Sequence, residues 1–357
     1  MKTYRVIQIV FILSTLSLTP FMVWAEAEDN TVLIATSSKD QAMTVDPQTQ
    51  AILDQGKGGP QLHELTVAEA RSALREMTFK LDIEKTDVHK RVERKIPGPN
   101  GDIPVRIYWP VALSGNETLP ILVLYHGGGF ALGDMDTHEN VSRYYAKNGN
   151  VIVINVHYRL SPENPFPAGV EDAYGALTWA AENAGAIGGD KSRIAITGDS
   201  AGGNISAVVA QMARDRSGPS IAYQLLVYPS VTLRPDSNYA SHETYGNGDY
   251  FLSRDSLTWL RGMYFEDSED SKSVLASPIL AKDLSGLPPA LIITAGYDIL
   301  RDEGKHYADR LREAGVPVEY KCFETTIHGF MSFAGGIDAG RQGLDLVVKT
   351  LKEKLHK

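Results

Sequence analysis

The chain has 357 residues, 43% of them hydrophobic and 22% charged, which is ample to bury a full core and ordinary for a globular protein. That balance indicates neither a disordered chain nor a polytopic membrane protein, and a formal charge of −9 argues against nucleic acid or an anionic membrane as partner.

The first 25 residues stand apart. Lys2 and Arg5 precede an apolar run from Val6 to Trp24, and Ala25 then gives way to "EAEDN", the charged start, greasy middle and small-residue end of a secretory signal peptide. Cleavage is expected after Ala25 or Ala27, giving a periplasmic or secreted chain. The alternative is an uncleaved N-terminal membrane anchor, because the run is close to spanning length. Loss of Lys2 and Arg5 takes the formal charge to −11, since no acidic residue lies in that segment.

Residues 26–90 hold a polar, weakly patterned stretch and then "LTVAEARSALREMTFKL", predicted to be an amphipathic helix with a Thr66/Glu69 capping box. These N-terminal segments precede the first strand and are expected to cover something. From residue 91 onward the chain reads as one catalytic-size domain. "HKRVERKIPGPNGDIPVRIYWP" predicts two strands joined by a turn at Pro97 to Gly101.

Six apolar strands are then predicted, at 119–126, 151–158, 193–198, 223–229, 290–296 and 318–324. Helix-like stretches at 169–184, 201–216 and 303–315 lie between them. Near-continuous Val, Ile and Leu runs alternating with amphipathic helices indicate an α/β fold, a mostly parallel sheet with helices on both faces. The interval 231–278 is too long for an ordinary connection and reads as an insertion with helical parts such as "SRDSLTWLRGMYF".

In open α/β sheets the functional groups gather beyond the carboxyl ends of the strands. Ser200, in Gly198-Asp199-Ser200-Ala201-Gly202, falls there, between a strand and a helix. The Gly-x-Ser-x-Gly pattern there fits a nucleophile on a sharp turn, against the simpler reading of a helix cap. "HGGGF" (126–130) follows another strand, and the amides of Gly127, Gly128 and Gly129, with that of Ala201, are candidate donors to a substrate oxyanion. A phosphate cradle is disfavoured because no Gly-Lys-Ser/Thr follows. His126 is expected to shape that loop.

A serine nucleophile needs a histidine base and an orienting carboxylate, in the order Ser, Asp/Glu, His for this sheet arrangement. His306, His328 and His356 come late enough. His328, in "TTIHGF", has the loop context the role requires, whereas His306 falls in a helix and His356 next to the chain end. Among Asp298, Asp302 and Glu303, Asp298 comes directly off a strand and is preferred, with Asp302 in reserve.

Together "HGGGF", "GDSAGGN", "YDILRDEG" and "HGF" resemble the hormone-sensitive-lipase-like family of α/β-hydrolase esterases and lipases, from about Arg94 onward. "YRLSPENPFPA" (158–168) resembles that family's Tyr-Arg-Leu-Ala/Ser-Pro-Glu signature, with Arg159 and Glu163 expected to satisfy local hydrogen bonds. The resemblance implies an α/β-hydrolase fold with a helical cap built from the N-terminal helices and the 231–278 insertion. It also implies a Ser200-Asp298-His328 triad hydrolysing carboxylic esters through an acyl-enzyme. An amidase or peptidase, or a non-catalytic binding protein on this scaffold, are the competing readings.

No cofactor is required, and the nine histidines and single cysteine lack the spacing of a metal site. Cys322 is expected to be a buried, inert thiol. Asn116, Asn140 and Asn204 begin Asn-x-Ser/Thr triplets that read as chance, Asn204 falling in the helix after the serine. Tyr245, Tyr250, Phe251, Trp259 and Tyr264 are expected either to line a pocket for short to medium acyl chains or to form the core of the insertion. A homodimer is compatible with the sequence, which does not set the oligomeric state.

Overall fold

The computed structural model describes residues 44–115 and 117–356. The expected signal segment lies outside the described residues, as does Asn116. No described helix is long and apolar enough to cross a membrane.

Two helices come first, α1 (Pro47–Gly56) and α2 (Val67–Leu81). The α2 capping box forms as predicted, with the Thr66 side chain accepting from the Glu69 amide and Glu69 reaching back to the Thr66 amide. The predicted hairpin is β1 (Lys90–Gly98) and β2 (Gly101–Trp109), closed by Pro99 and Asn100. Then follow β3 (Leu119–Tyr125), α3 (Glu139–Gly149), β4 (Ile152–Val156), α4 (Ala168–Glu182), β5 (Gly189–Asp199) and α5 (Ala201–Asp215). The chain continues through β6 (Tyr223–Val227), α6 (Ala240–Tyr245), α7 (Arg254–Tyr264), β7 (Ala290–Tyr297), α8 (Arg301–Glu313), β8 (Val318–Ile327) and α9 (Asp338–Leu355).

The eight strands form one sheet in the order β1-β2-β4-β3-β5-β6-β7-β8. β1, β2 and β4 pair antiparallel, and every pairing from β4 through β3 to β8 is parallel. This is the mostly parallel sheet expected from the alternating pattern, arranged as the α/β-hydrolase fold that the resemblance implies. Side chains on β3 alternate between two cores. Ile121, Val123 and Tyr125 join residues of α4, α5 and α8, while Leu122 and Leu124 join residues of α3 and α9 on the other face. Each such side chain, fully removed from water, stabilises the fold by about 1.5–3 kcal/mol.

The sequence pattern does not mark helices α1, α3, α6 and α9. α3 carries a polar, aromatic-rich stripe, and its buried Arg143 and Ser142 break the apolar period that would have marked it. In the interval after β6, the stretch singled out as helical is α7, capped by Ser253, whose side chain accepts from the Ser256 amide.

Candidate active site

The turn from β5 into α5 is steric in origin. Ser200 sits at φ 56°, ψ −117°, a backbone region that a residue with a Cβ rarely enters. The surroundings hold it there. A Cβ on Gly202 would lie 2.0 Å from the Tyr125 carbonyl oxygen, and one on Gly198 would lie 2.3 Å from the Gly202 backbone. Only glycine two positions either side of Ser200 lets β3, β5 and α5 approach this closely.

The Ser200 hydroxyl, at the N-terminus of α5, lies 2.9 Å from His328 Nε2. His328 Nδ1 lies 2.8 Å from Asp298 Oδ2. A carboxylate only accepts, so Nδ1 carries the ring proton and donates to Asp298, which leaves Nε2 to accept from Ser200. Asp298 and His328 are both nearly closed off from solvent, at 1% and 6% exposure, so this chain of bonds operates in a low dielectric. The other Asp298 oxygen accepts from the Leu300 amide at 2.9 Å, which fixes the carboxylate. The Tyr228 ring meets the His328 imidazole edge-on, with centroids 4.8 Å apart.

The alternatives have other partners. Asp302 accepts from the Ser241 amide and pairs with Arg301. Glu303, buried, accepts from the Val231 and Thr232 amides and meets His242. His306 bonds the Tyr239 hydroxyl, and His356 donates to the Gly149 carbonyl. His126 donates from Nδ1 to the Gly127 carbonyl and stacks on Tyr158. Burial, together with His138 and His157, pushes its pKa down to about 3, so it stays neutral and shapes the loop.

The glycine loop narrows the donor set. Gly127 is corrected as an oxyanion donor, because its amide already donates to Asp199 Oδ1 at 2.9 Å. Gly128 and Gly129 hold φ values of 114° and 60°, where the missing side chains matter. A Cβ on Gly128 would meet the Leu132 carbonyl at 2.2 Å, and one on Gly129 would meet Leu260 of α7 at 2.5 Å.

Asp199 also accepts from His138 Nε2 at 2.9 Å, a contact that sequence reasoning missed. Burial alone would raise the Asp199 pKa, but the facing His138 charge and hydrogen bond outweigh it and hold it below the ordinary value. For His138 burial works the other way, and Asp199 overcomes it, so the imidazole is held above its ordinary pKa. "DMDTHEN" carries no local signal for this pairing, which spans 61 residues.

Other segments pack against the loop. Leu260 of α7 packs with Ala131 and Leu132 behind the glycines and with Ala70 of α2. Arg71 of α2 donates to the Ala131 and Ser161 carbonyls and forks onto Glu163 with two bonds of 2.7 Å. That fork pulls the Glu163 pKa down to about 2. Glu163 therefore reaches an N-terminal helix rather than a local partner, while Arg159 does bond nearby, to Asp172. Asn204, fully buried, ties α5 to the Ser230 and Ala276 carbonyls. Tyr264 stacks on Phe130 and Trp259 joins the Leu260 cluster, so these two aromatics serve as packing. Cys322 is half-buried, and burial pushes its thiol pKa up to about 11.

Residues 122–332 match the model of the α/β-hydrolase fold family, and the chain belongs to its hormone-sensitive-lipase-like branch of esterases. The chain is 45% identical over 271 residues to the carboxylesterase NlhH of Mycobacterium tuberculosis, covering 74% of this chain and 83% of that protein. It is 36% identical to the esterase LipI of the same organism, over 90% of this chain and 98% of LipI. Among solved structures, the hyperthermophilic esterase of the archaeon Pyrobaculum calidifontis superposes with a TM-score of 0.81 at 40% identity, covering 87% of this chain and 99% of that one.

Proposed function

We propose that the protein hydrolyses carboxylic esters with Ser200 as nucleophile, His328 as general base and then acid, and Asp298 as the group that orients His328. The observation that carries this reading is the unbroken chain Ser200-His328-Asp298, with links of 2.9 and 2.8 Å. As Ser200 attacks the ester carbonyl, its proton passes to His328 Nε2, and Asp298 stabilises the imidazolium that forms. The tetrahedral oxyanion is received by the amides of Gly128, Gly129 and Ala201, the last at the positive end of α5. Collapse expels the alcohol, which takes the proton from His328, and leaves an acyl-Ser200 ester. Water, deprotonated by His328, then attacks that ester and releases the acid.

The carboxylesterase and esterase names of the relatives support the choice of ester. The segments carrying α2 and α7 act as the cap, and the pocket beneath them takes short to medium acyl chains. Export to the periplasm or medium rests on the sequence of residues 1–25. The test is hydrolysis of para-nitrophenyl butyrate by the purified protein, with covalent labelling of Ser200 by an organophosphate. Turnover with labelling at Ser200 is expected, and turnover that survives Ser200→Ala overturns the assignment.

A further inference from the structure

The helix α7 carries an arginine that finds no hydrogen-bond acceptor among the described residues. Arg261 has its Nε buried without a hydrogen-bond partner, and no described residue gives its guanidinium a hydrogen bond or a carboxylate at ion-pair distance. Leaving such a donor unmatched costs free energy, which a bound group that accepts from it would recover. Two neighbours on the helix define the face it occupies. Leu257, four residues earlier, packs against Leu252, Ile299 and Leu300, and the Tyr264 ring, three residues later, stacks on Phe130 with centroids 4.0 Å apart. Residues at these spacings share one helix face. Ile299 directly follows Asp298, and Phe130 directly follows Gly129, so the face of α7 that carries Arg261 packs against the segments immediately downstream of the triad carboxylate and of the glycine loop.

We propose that Arg261 is a specificity residue that receives an ionised acid group on the ester, so that half-esters of dicarboxylic acids, or esters of carboxylate-bearing alcohols, are preferred over their neutral counterparts. This inference rests on the ester-hydrolase reading and deepens it. Glu303, the acidic group whose field reaches Arg261, is already committed to the Val231 and Thr232 amides and to His242. Arg254, on the same helix, is paired with Glu243. Burial draws the Arg261 pKa below its ordinary value, yet a guanidinium remains charged at any working pH, so the site presents a fixed cation. In a chain of net charge −9 an anionic substrate is repelled overall, and a local fork donor is what would hold one in register.

Two matched substrate pairs test this and separate the two positions of the acid. Monoethyl adipate against ethyl hexanoate places the carboxylate on the acyl side, and para-butyryloxybenzoate against para-butyryloxybenzamide places it on the alcohol side. The ratio of kcat/KM within each pair is measured for the wild type, Arg261→Gln and Arg261→Lys. Arg261→Gln is expected to lower the charged-to-neutral ratio about tenfold in one pair, mainly through KM, with Arg261→Lys recovering part of it. A ratio unchanged in both pairs overturns the proposal. If the wild type hydrolyses none of the four esters, the ester-hydrolase reading fails. Arg261 is then judged by calorimetric titration of Ser200→Ala with monoethyl adipate, where binding unaffected by an added Arg261→Gln change, or no binding at all, overturns it.

Discussion

Asp199 and His138 form an ion pair, 2.9 Å apart, directly behind the turn that carries Ser200. The same Asp199 oxygen holds the Gly127 amide. One carboxylate therefore ties the residue before the nucleophile to the base of the glycine loop. The relative positions of nucleophile and oxyanion donors depend on a contact that touches neither.

Removing that carboxylate strands a charged or newly neutral His138 and releases Gly127. Asp199→Ala is expected to destabilise the protein by about 3–5 kcal/mol, read from denaturant unfolding, and to lower kcat on the residual folded enzyme. A change within about 0.5 kcal/mol, the size of an ordinary surface substitution, would show that the pair carries no structural weight.

The pair also predicts a pH signature. Asp199 is held below its reference value of 3.8, so its contribution is complete above that pH and is lost as pH falls through the lowered folded value. His138 is held above its reference value of 6.5, so its contribution is complete below that pH and is lost as pH rises through the raised folded value. The stability difference between wild type and His138→Gln should form a plateau between the two reference values and shrink into alkaline solution. A difference that stays flat or grows there contradicts the charged pair.

Ser200→Ala is expected to reduce kcat on para-nitrophenyl butyrate by roughly a million-fold with the fold intact. Asp298→Asn should cost about ten-thousand-fold, because the amide can donate to Nδ1 and so favours the wrong tautomer. Circular dichroism of both variants separates lost chemistry from lost structure.

Gly202→Ala introduces a methyl group 2.0 Å from the Tyr125 carbonyl, in backbone that cannot give way. The expected cost is about 3 kcal/mol or more, at the upper end of overpacking, with activity lost as Ser200 is displaced. Gly262→Ala, on the same glycine-to-alanine exchange but with open space around it, should leave the melting temperature unchanged or slightly raised. Equal effects at the two positions would remove the steric account of the turn.

Butyrate and hexanoate esters should turn over faster than laurate and palmitate esters, by about tenfold at the extremes. A chain-length series on the purified protein measures this, and a maximum at palmitate contradicts a pocket closed by α2 and α7.

Much of the site was legible because its chemistry is local in the chain. The glycines around Ser200 mark a turn that only glycine permits, and Asp298 and His328 each follow an apolar strand on the sheet edge where loops gather. Near-continuous apolar runs between amphipathic helices pointed to the parallel sheet for the same reason, since strands buried on both faces leave an unbroken apolar stretch. What the tertiary structure decided are the pairings between distant segments. Gly127 could not be removed from the donor set until Asp199 was seen beside it, and His138, 61 residues from Asp199, has no sequence neighbour that announces it. Glu163 finds Arg71 across 92 residues, and that no described residue accepts from Arg261 Nε is seen only once its surroundings are in place. Hydrogen bonds and ion pairs act over a few ångströms of space whatever the separation along the chain, so the sequence by itself determined which groups are present and how each segment turns, and packing alone determined which of them meet.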